Sequence, residues 1–380
     1  MAGVYIHIPF CHSKCIYCDF YSLVNDQRQD VYIEALFKEF GLRLRQPVWK
    51  HQTSWNTLYL GGGTPSTLSS LNLERLCQNI DFFLPNATFR ERTIEVNPED
   101  ITQDKVAHLV TLGFNRVSMG VQSFNDNELL FLRRRHTAAK AIEAVDLLHS
   151  GGIKNISIDL IFALPGSSLA QWEKNIDQAL SLGCTHISAY GLTYEKRTPL
   201  FDMLRTKKIL SVEDSLYVEQ YNLLIDKLTR AGYEHYELSN FALSGYTSLH
   251  NSSYWEETPY LGLGTSANGY DGNFRYANKR SLDKYLDDLQ QGILPIEFEE
   301  ELSLLDKYNE SIMLALRKRE GVDLILFESR FGKKGLNRLL SSSQIFCDNG
   351  SLSIQDNHLR LTRQGLIVAD SIMSDLFQLE

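Results

Sequence analysis

The sequence predicts an α/β protein: a partial, three-quarter parallel (β/α)6 TIM-like barrel followed by a smaller C-terminal α+β domain of winged-helix-like order. Three observations lead there. Short β-rich runs alternate with helical stretches over the first two thirds of the chain, and that alternation builds a parallel sheet through right-handed crossovers. There are six such units, too few for the full closure of an eight-stranded barrel. Every run also has one aliphatic face and one polar or small face. Helices must cover the aliphatic face, so the polar face turns inward.

The candidate strands are Val4–Ile8, Thr57–Leu60, Thr93–Val96, Arg116–Val121, Ile156–Ile161 and Ile187–Gly191. Their parity carries the information. Val4, Ile6 and Ile8 alternate with Tyr5 and His7, while Ile94 and Val96 alternate with Glu95 and Asn97. Val117, Met119 and Val121 alternate with Ser118, Gly120 and Gln122, and Ile158 and Leu160 flank Asp159. A packed barrel interior is filled with Val, Ile and Leu; this one reads as a wet cavity for a polar guest. Among the helices, one is capped by Thr137 and puts Ala138, Ala141, Ile142, Val145 and Leu148 on one face before Gly151. Another aligns Tyr217, Tyr221, Leu224, Ile225 and Leu228 before Gly232. The domain boundaries follow: residues 1–235 as the barrel, 236–300 as a connecting region of aromatic and Gly-rich turns, and 301–380 as the C-terminal domain. That last part has a long helix near 301–319, a hairpin at Leu352–Leu361 and a closing helix from Thr362.

Composition bounds the function. In 380 residues, 43% are apolar and 22% charged, and the net charge is −9. An acidic chain of this kind argues against nucleic acid as a partner. The basic residues Arg317, Lys318, Arg319, Lys333, Lys334 and Arg338 read as a solvated face. No apolar run has the length of a membrane span, and Met1 leads straight into a strand-like segment instead of a signal peptide. The expected location is the cytoplasm. Three of the six cysteines crowd into residues 11–18, while Cys77, Cys184 and Cys347 are scattered. The trio reads as metal-binding and the others as buried thiols.

The trio forms C-x3-C-x2-C, Cys11, Cys15 and Cys18, directly after the first strand. Thiolates select zinc or iron–sulfur clusters. Structural zinc wants four closed ligands, and no second Cys/His pair stands at zinc-site spacing. Three cysteines on a [4Fe–4S] cubane instead leave one iron open, which the amine and carboxylate of S-adenosylmethionine (SAM) can chelate before one-electron cleavage of its sulfonium. Gly61-Gly62-Gly63-Thr64-Pro65 follows the second strand and lets backbone groups approach a ligand closely. Glu95, Gln122 and Asp159 lie on polar strand faces near carboxyl ends, where barrel enzymes place functional groups. Of Arg133, Arg134 and Arg135, one turned inward could clamp a carboxylate.

These motifs, together with Glu95-Val96-Asn97-Pro98, Gly120-Val121-Gln122-Ser123-Phe124 and Ile158-Asp159-Leu160-Ile161, closely resemble the radical-SAM family of oxygen-independent coproporphyrinogen III dehydrogenase. The resemblance covers essentially the whole chain. It implies SAM contacts from Tyr5, Tyr17, Gly62, Gly63, Thr64, Glu95, Gln122, Arg134 and Asp159, with Gly191 and Ala267 as further candidates. Two departures separate the chain from the dehydrogenases: Phe20 stands where they carry a further Cys, and their long N-terminal extension has no counterpart before Tyr5. Both, with His250-Asn251-Ser252-Ser253-Tyr254-Trp255, resemble the heme-chaperone branch of the family. The resemblance then implies heme as cargo, heme-acceptor proteins and an electron donor as partners, and room for peripheral membrane contact. His250 is the expected heme ligand, since His is a standard axial ligand, with Tyr254 and Trp255 beside the porphyrin. The alternative is the enzyme itself, radical decarboxylation of coproporphyrinogen III propionates.

Overall fold

In the computed structural model, residues 2–24 and 26–378 are described; Met1, from which the sequence was read into its first strand, lies outside them. All six predicted strands form: β1 (Ala2–Ile8), β2 (Trp55–Gly62), β3 (Glu91–Val96), β4 (Arg116–Gln122), β5 (Asn155–Phe162) and β6 (His186–Gly191). They are parallel and stand side by side in chain order, the sequential winding of a barrel wall. The crossovers are the helices α1 (Gln29–Arg43), α2 (Ser70–Phe83), α3 (Gln103–Thr111), α4 (Ala138–Ser150) and α5 (Leu169–Ser181), with α6 (Asp214–Arg230) after β6. Ser69, Thr102, Thr137 and Ser168 cap four of them through side-chain oxygens that accept the N–H three residues on, satisfying donors that would otherwise be orphaned.

The aliphatic parity decides the packing. Val4, Ile6, Leu58, Leu60, Ile94, Val117, Met119, Ile158 and Ile187 are buried against Ile33, Leu36, Leu73, Leu76, Val145, Leu148 and Ile176 of the covering helices. Along α4 the expected face forms with one exchange: Ala144 is buried with Ala141, Val145 and Leu148, and Ala138 and Ile142 lie at its margin.

The region expected to be a connector instead continues the sheet, which is a correction to the expected layout. Six further strands, β7 (Glu234–Glu237), β8 (Asn240–Ala242), β9 (Tyr260–Leu263), β10 (Asn268–Tyr270), β11 (Phe274–Asn278) and β12 (Ile296–Glu301), give the order β12-β11-β10-β9-β1-β2-β3-β4-β5-β6-β8-β7. Strand β9 lies parallel to β1, pairing Gly3 with Tyr260 and Ile6 with Leu263, so β1 is interior to the sheet. These strands are only three to six residues long, and Gly262 and Gly269 interrupt two of them, which weakens their β signal in sequence. Leu261, Leu263, Leu282 and Tyr285 belong to the barrel's own hydrophobic core.

A second core gathers α8 (Leu304–Arg317), α9 (Leu324–Asp348), a small sheet and the closing helices, around Tyr308, Ile312, Leu316, Phe327, Leu339, Leu359 and Ile372. The predicted hairpin appears as Leu352–Gln355 against His358–Leu361, and Val322–Asp323 adds a third strand. Ser303 and Asp306 form a capping box at the start of α8.

Candidate functional site

A cavity of about 640 Å³ opens at the carboxyl ends of the parallel strands, and residues from β2 to β6 line it. The wall must therefore curve around it, with Tyr59, Glu95, Ser118, Asp159 and Ser188 contributed by successive strands at the polar parity read from sequence.

The three clustered cysteines stand at its mouth. The chain leaves β1, and Phe10 and Cys11 pair with Leu23 and Val24, folding the intervening segment into a closed loop. Ile16 pins that loop: it is buried in a small cluster with Leu132, Ile161, Leu164, Leu192 and Leu200, and its carbonyl accepts from Leu200 N at 3.0 Å. Cys11, Cys15 and Cys18 are half-buried free thiols. Among the described residues, no three His, Cys, Asp or Glu side chains converge as ligands of one ion would. In a cubane each cysteine would hold a different iron, and all three cysteines line the one cavity.

Gly62 and Gly63 turn out to serve packing first. Gly62 has φ +115°, and a Cβ there would lie 2.6 Å from the His7 ring; at Gly63 it would meet the backbone of Pro9 and Phe10 at 2.9 Å. Only glycine lets this turn press against the start of the cysteine loop, where Gly63 N donates to Ile8 O at 2.8 Å and Thr64 N to Phe10 O at 2.9 Å. The Thr64 hydroxyl lies 3.5 Å from Cys11 Sγ.

Of the three consecutive arginines, Arg134 turns inward. Arg133 adopts φ +58°, reversing the chain there. Arg134 Nη2 then donates to Asn97 Oδ1 at 2.7 Å and Gly120 O at 2.6 Å, and Nη1 reaches Cys15 Sγ at 3.4 Å. Its Nε is buried with no protein partner. An orphaned N–H of a buried guanidinium beside a cavity fits an anionic group of a guest, such as the SAM carboxylate. Asn97, which also donates to Thr64 Oγ1 at 3.2 Å, ties the arginine to the glycine turn. Sequence reading did not single it out, although it shares Glu95's parity. Gln122 closes β4 at a bulge, with φ +68°. A non-glycine residue held there is strained, and such strain clusters at ligand sites.

Glu95 accepts from Tyr59 OH at 2.8 Å and from Gly62 N at 3.0 Å. Burial, reinforced by nearby Asp159, pushes its carboxyl up to about 7 against those two hydrogen bonds. Burial likewise raises Asp159 to about 6, although hydrogen bonds from Ser188 and Ser118 and the charge of Arg116 oppose it. Both reach the cavity surface, so a cationic guest would restore their ionised forms.

Tyr17, Gly62, Gly63, Thr64, Glu95, Gln122, Arg134, Asp159 and the three cysteines all line the one cavity, as does Gly191. Tyr5, Ala267 and His250 are not among its lining residues. Tyr5 hydrogen-bonds His7 Nδ1 at 3.1 Å and packs near Tyr59 and His250; Ala267 is fully buried.

His250 requires a correction. Its segment is a helix, α7 (Leu249–Trp255), capped by Ser248, within the region read as aromatic and Gly-rich turns. The imidazole is 1% exposed. Its Nδ1 shares a hydrogen bond with Thr57 Oγ1 at 2.8 Å, and its Nε2 shares one with Tyr254 OH at 2.8 Å. Burial lowers its pKa to about 3, so the ring is neutral, one nitrogen donating and the other accepting. An axial ligand needs a free ring nitrogen facing an opening, and this one has neither. His250 is a buried strut stacked on Tyr59 with centroids 5.0 Å apart.

Comparison with known proteins follows the geometry. The model of the Radical SAM superfamily matches residues 5–179, and that of the HemN C-terminal domain matches residues 302–368. The Lactococcus lactis protein named heme chaperone HemW is 37% identical over 87% of this chain and 85% of its own length. Its Bacillus subtilis namesake is 32% identical over 98% of both. This chain belongs to the heme chaperone HemW family. Membership of the radical SAM superfamily implies a [4Fe–4S] cluster and SAM. The fold is that of the coproporphyrinogen III oxidase HemN from Escherichia coli, with TM-score 0.85 and 23% identity over 100% of this chain and 91% of that one. Among the described residues of this HemW-family chain, no helix is long and apolar enough to cross a membrane.

Proposed function

We propose that this chain is a heme chaperone: it carries a [4Fe–4S] cluster on Cys11, Cys15 and Cys18, holds SAM in the adjoining cavity, binds heme and passes it to acceptor proteins in the cytoplasm. The observation that carries the reading is the near-full-length similarity to proteins named heme chaperone, joined to a cavity that has the three free cysteines at one mouth. When bound, the cluster supplies an open iron and an electron for SAM cleavage, which calls for an external electron donor. The chain's own residues do the rest. Arg134 takes the SAM carboxylate with its unpartnered Nε, Glu95 and Asp159 balance the positive charge, and Gln122 and Tyr17 bound the guest. Residues 301–380 form a separate domain in this reading, the part proposed to meet acceptors.

The enzyme alternative shares the fold but draws no support from the mouth, where Phe20 is 71% exposed in place of the dehydrogenases' further cysteine. The test is anaerobic reconstitution, followed by parallel assays of heme binding, heme transfer to an apo-acceptor and coproporphyrinogen III conversion. Heme binding with transfer and no conversion is expected. Multiple-turnover conversion without heme transfer would restore the enzyme reading.

A further inference from the structure

The cavity lining comes almost wholly from the first half of the chain, running from Cys11 to Glu195. One residue breaks the pattern. Asn251, in the first turn of α7 and next to His250, is the single lining residue beyond Glu195 among those described. Its backbone N–H is used, donating to Ser248 Oγ at 3.3 Å, while among the described residues its carboxamide has no hydrogen-bond partner. Consecutive helical residues point about 100° apart, so an inward strut at 250 leaves its neighbour free to face the opening.

Everything around Asn251 fixes its direction. The first turn of α7 is held by the buried Glu91 carboxylate, which accepts from Leu249 N at 2.9 Å and His250 N at 3.0 Å. Thr57 and Tyr254 hold both nitrogens of His250, and Tyr59 stacks on its ring. Tyr59 in turn donates to Glu95. At the other end Arg317 lies over the Trp255 ring, 5.1 Å from its centroid, and Arg330 pairs with Glu257 at 2.6 Å. A seven-residue helix clamped at both ends and carrying one unpartnered amide is preorganised to bind through that amide.

We propose that Asn251 is a specificity residue for SAM, and that the His-Asn-x-x-Tyr-Trp segment serves the SAM cavity through Asn251, with His250 as its positioning residue. The choice of guest follows from charge. The cavity beside this helix offers Glu95, Asp159, Ser118, Ser188 and Tyr59, acceptors and hydroxyls that suit a cationic sulfonium, an ammonium and a ribose diol. A heme would bring its anionic propionates toward the Glu95 and Asp159 carboxylates. The carboxamide offers one donor face and one acceptor, which suits the hydroxyls or the base edge of the nucleoside.

The proposal rests on the SAM and heme reading above, and its test keeps the two apart. In the full-length, anaerobically reconstituted protein, SAM affinity is read from its perturbation of the reduced cluster's electron-paramagnetic spectrum and by calorimetry; heme affinity is read by optical titration. Asn251→Ala removes an amide with no protein partner, so helicity and cluster content are expected to stay as in the unaltered chain. SAM affinity is expected to fall about five- to tenfold, the usual effect of one lost hydrogen bond to a buried polar group, with heme affinity unchanged. Asn251→Asp keeps the shape and the acceptor, and is expected to retain more SAM affinity than Asn251→Ala. Loss of heme affinity with SAM binding intact would overturn the proposal, as would loss of both or of neither. If the unaltered chain binds no SAM at all, the proposed function fails, independently of Asn251.

Discussion

Replacing Glu95 by Gln should change the pH dependence of stability in a way that few carboxylates would. The carboxyl stands at about 7 in the folded chain against an ordinary 4.5, chiefly through burial. At about 1.4 kcal/mol per pH unit, that difference is worth roughly 3 kcal/mol. The sign follows from linkage. Between 4.5 and 7 the folded state holds a proton that the unfolded state has lost, so stability declines as pH rises through that window, and the full cost is present above it. Gln carries no charge and escapes the cost. It can accept only one of the two hydrogen bonds that Tyr59 and Gly62 now give, which subtracts about 1 kcal/mol at any pH. Glu95→Gln is therefore expected to be about 2 kcal/mol more stable than the unaltered protein at pH 8, and slightly less stable near pH 4.5. The assay is urea unfolding of the cluster-free protein across that range, followed by far-ultraviolet circular dichroism. Saturating SAM on the reconstituted protein should reverse the pH 8 ordering, because a cation recovers the cost only where a carboxylate is present. A stability difference independent of pH would refute the reasoning.

Cys11→Ser, Cys15→Ser and Cys18→Ser are each expected to lose the cluster, while Cys77→Ser, Cys184→Ser and Cys347→Ser keep it; iron and sulfide analysis after reconstitution decides. Arg134→Ala should weaken SAM binding at least about tenfold, since a charged hydrogen bond is removed, and an unchanged calorimetric Kd would reject its role as a clamp. Glu39→Gln is expected to destabilise by about 3 kcal/mol by leaving buried Arg43 without its counter-charge. Glu39 accepts from Gly264 N, Asn278 Nδ2 and Tyr285 OH, and thermal unfolding measures the loss.

Much of the wall could be read directly, because a period of two survives in any strand long enough to display it. Val4 to Ile8 or Arg116 to Gln122 announce their inner and outer faces before any neighbour is known. Cysteine spacing was legible for a similar reason: three cysteines on one short loop need no tertiary information to be grouped, and all three line the cavity. The extension from Tyr260 to Glu301 was not readable, since three- to six-residue strands containing Gly262 and Gly269 offer too little alternation. Within the motif, the sequence singled out His250, whereas Asn251 is the residue that lines the cavity. Whether His250 or Asn251 meets the cavity depends on the helix's rotation, which Glu91 and Thr57 set from strands far away in sequence. Tyr5 has the inward parity but is not among the residues lining the cavity, and its hydroxyl is hydrogen-bonded to His7.

The interior position of β1 has a consequence for how such a chain is made. The segment carrying Cys11, Cys15 and Cys18 leaves the ribosome early, yet its strand is flanked on one side by β9, which emerges much later. Until then β1 presents an open edge, and Glu39 and Arg43 lack the Gly264, Asn278 and Tyr285 groups that complete their buried cluster. A nascent chain cut off near residue 235 would expose that edge to strand addition by other chains. The strand leading into the cysteine loop is thus made well before the strand that covers its edge.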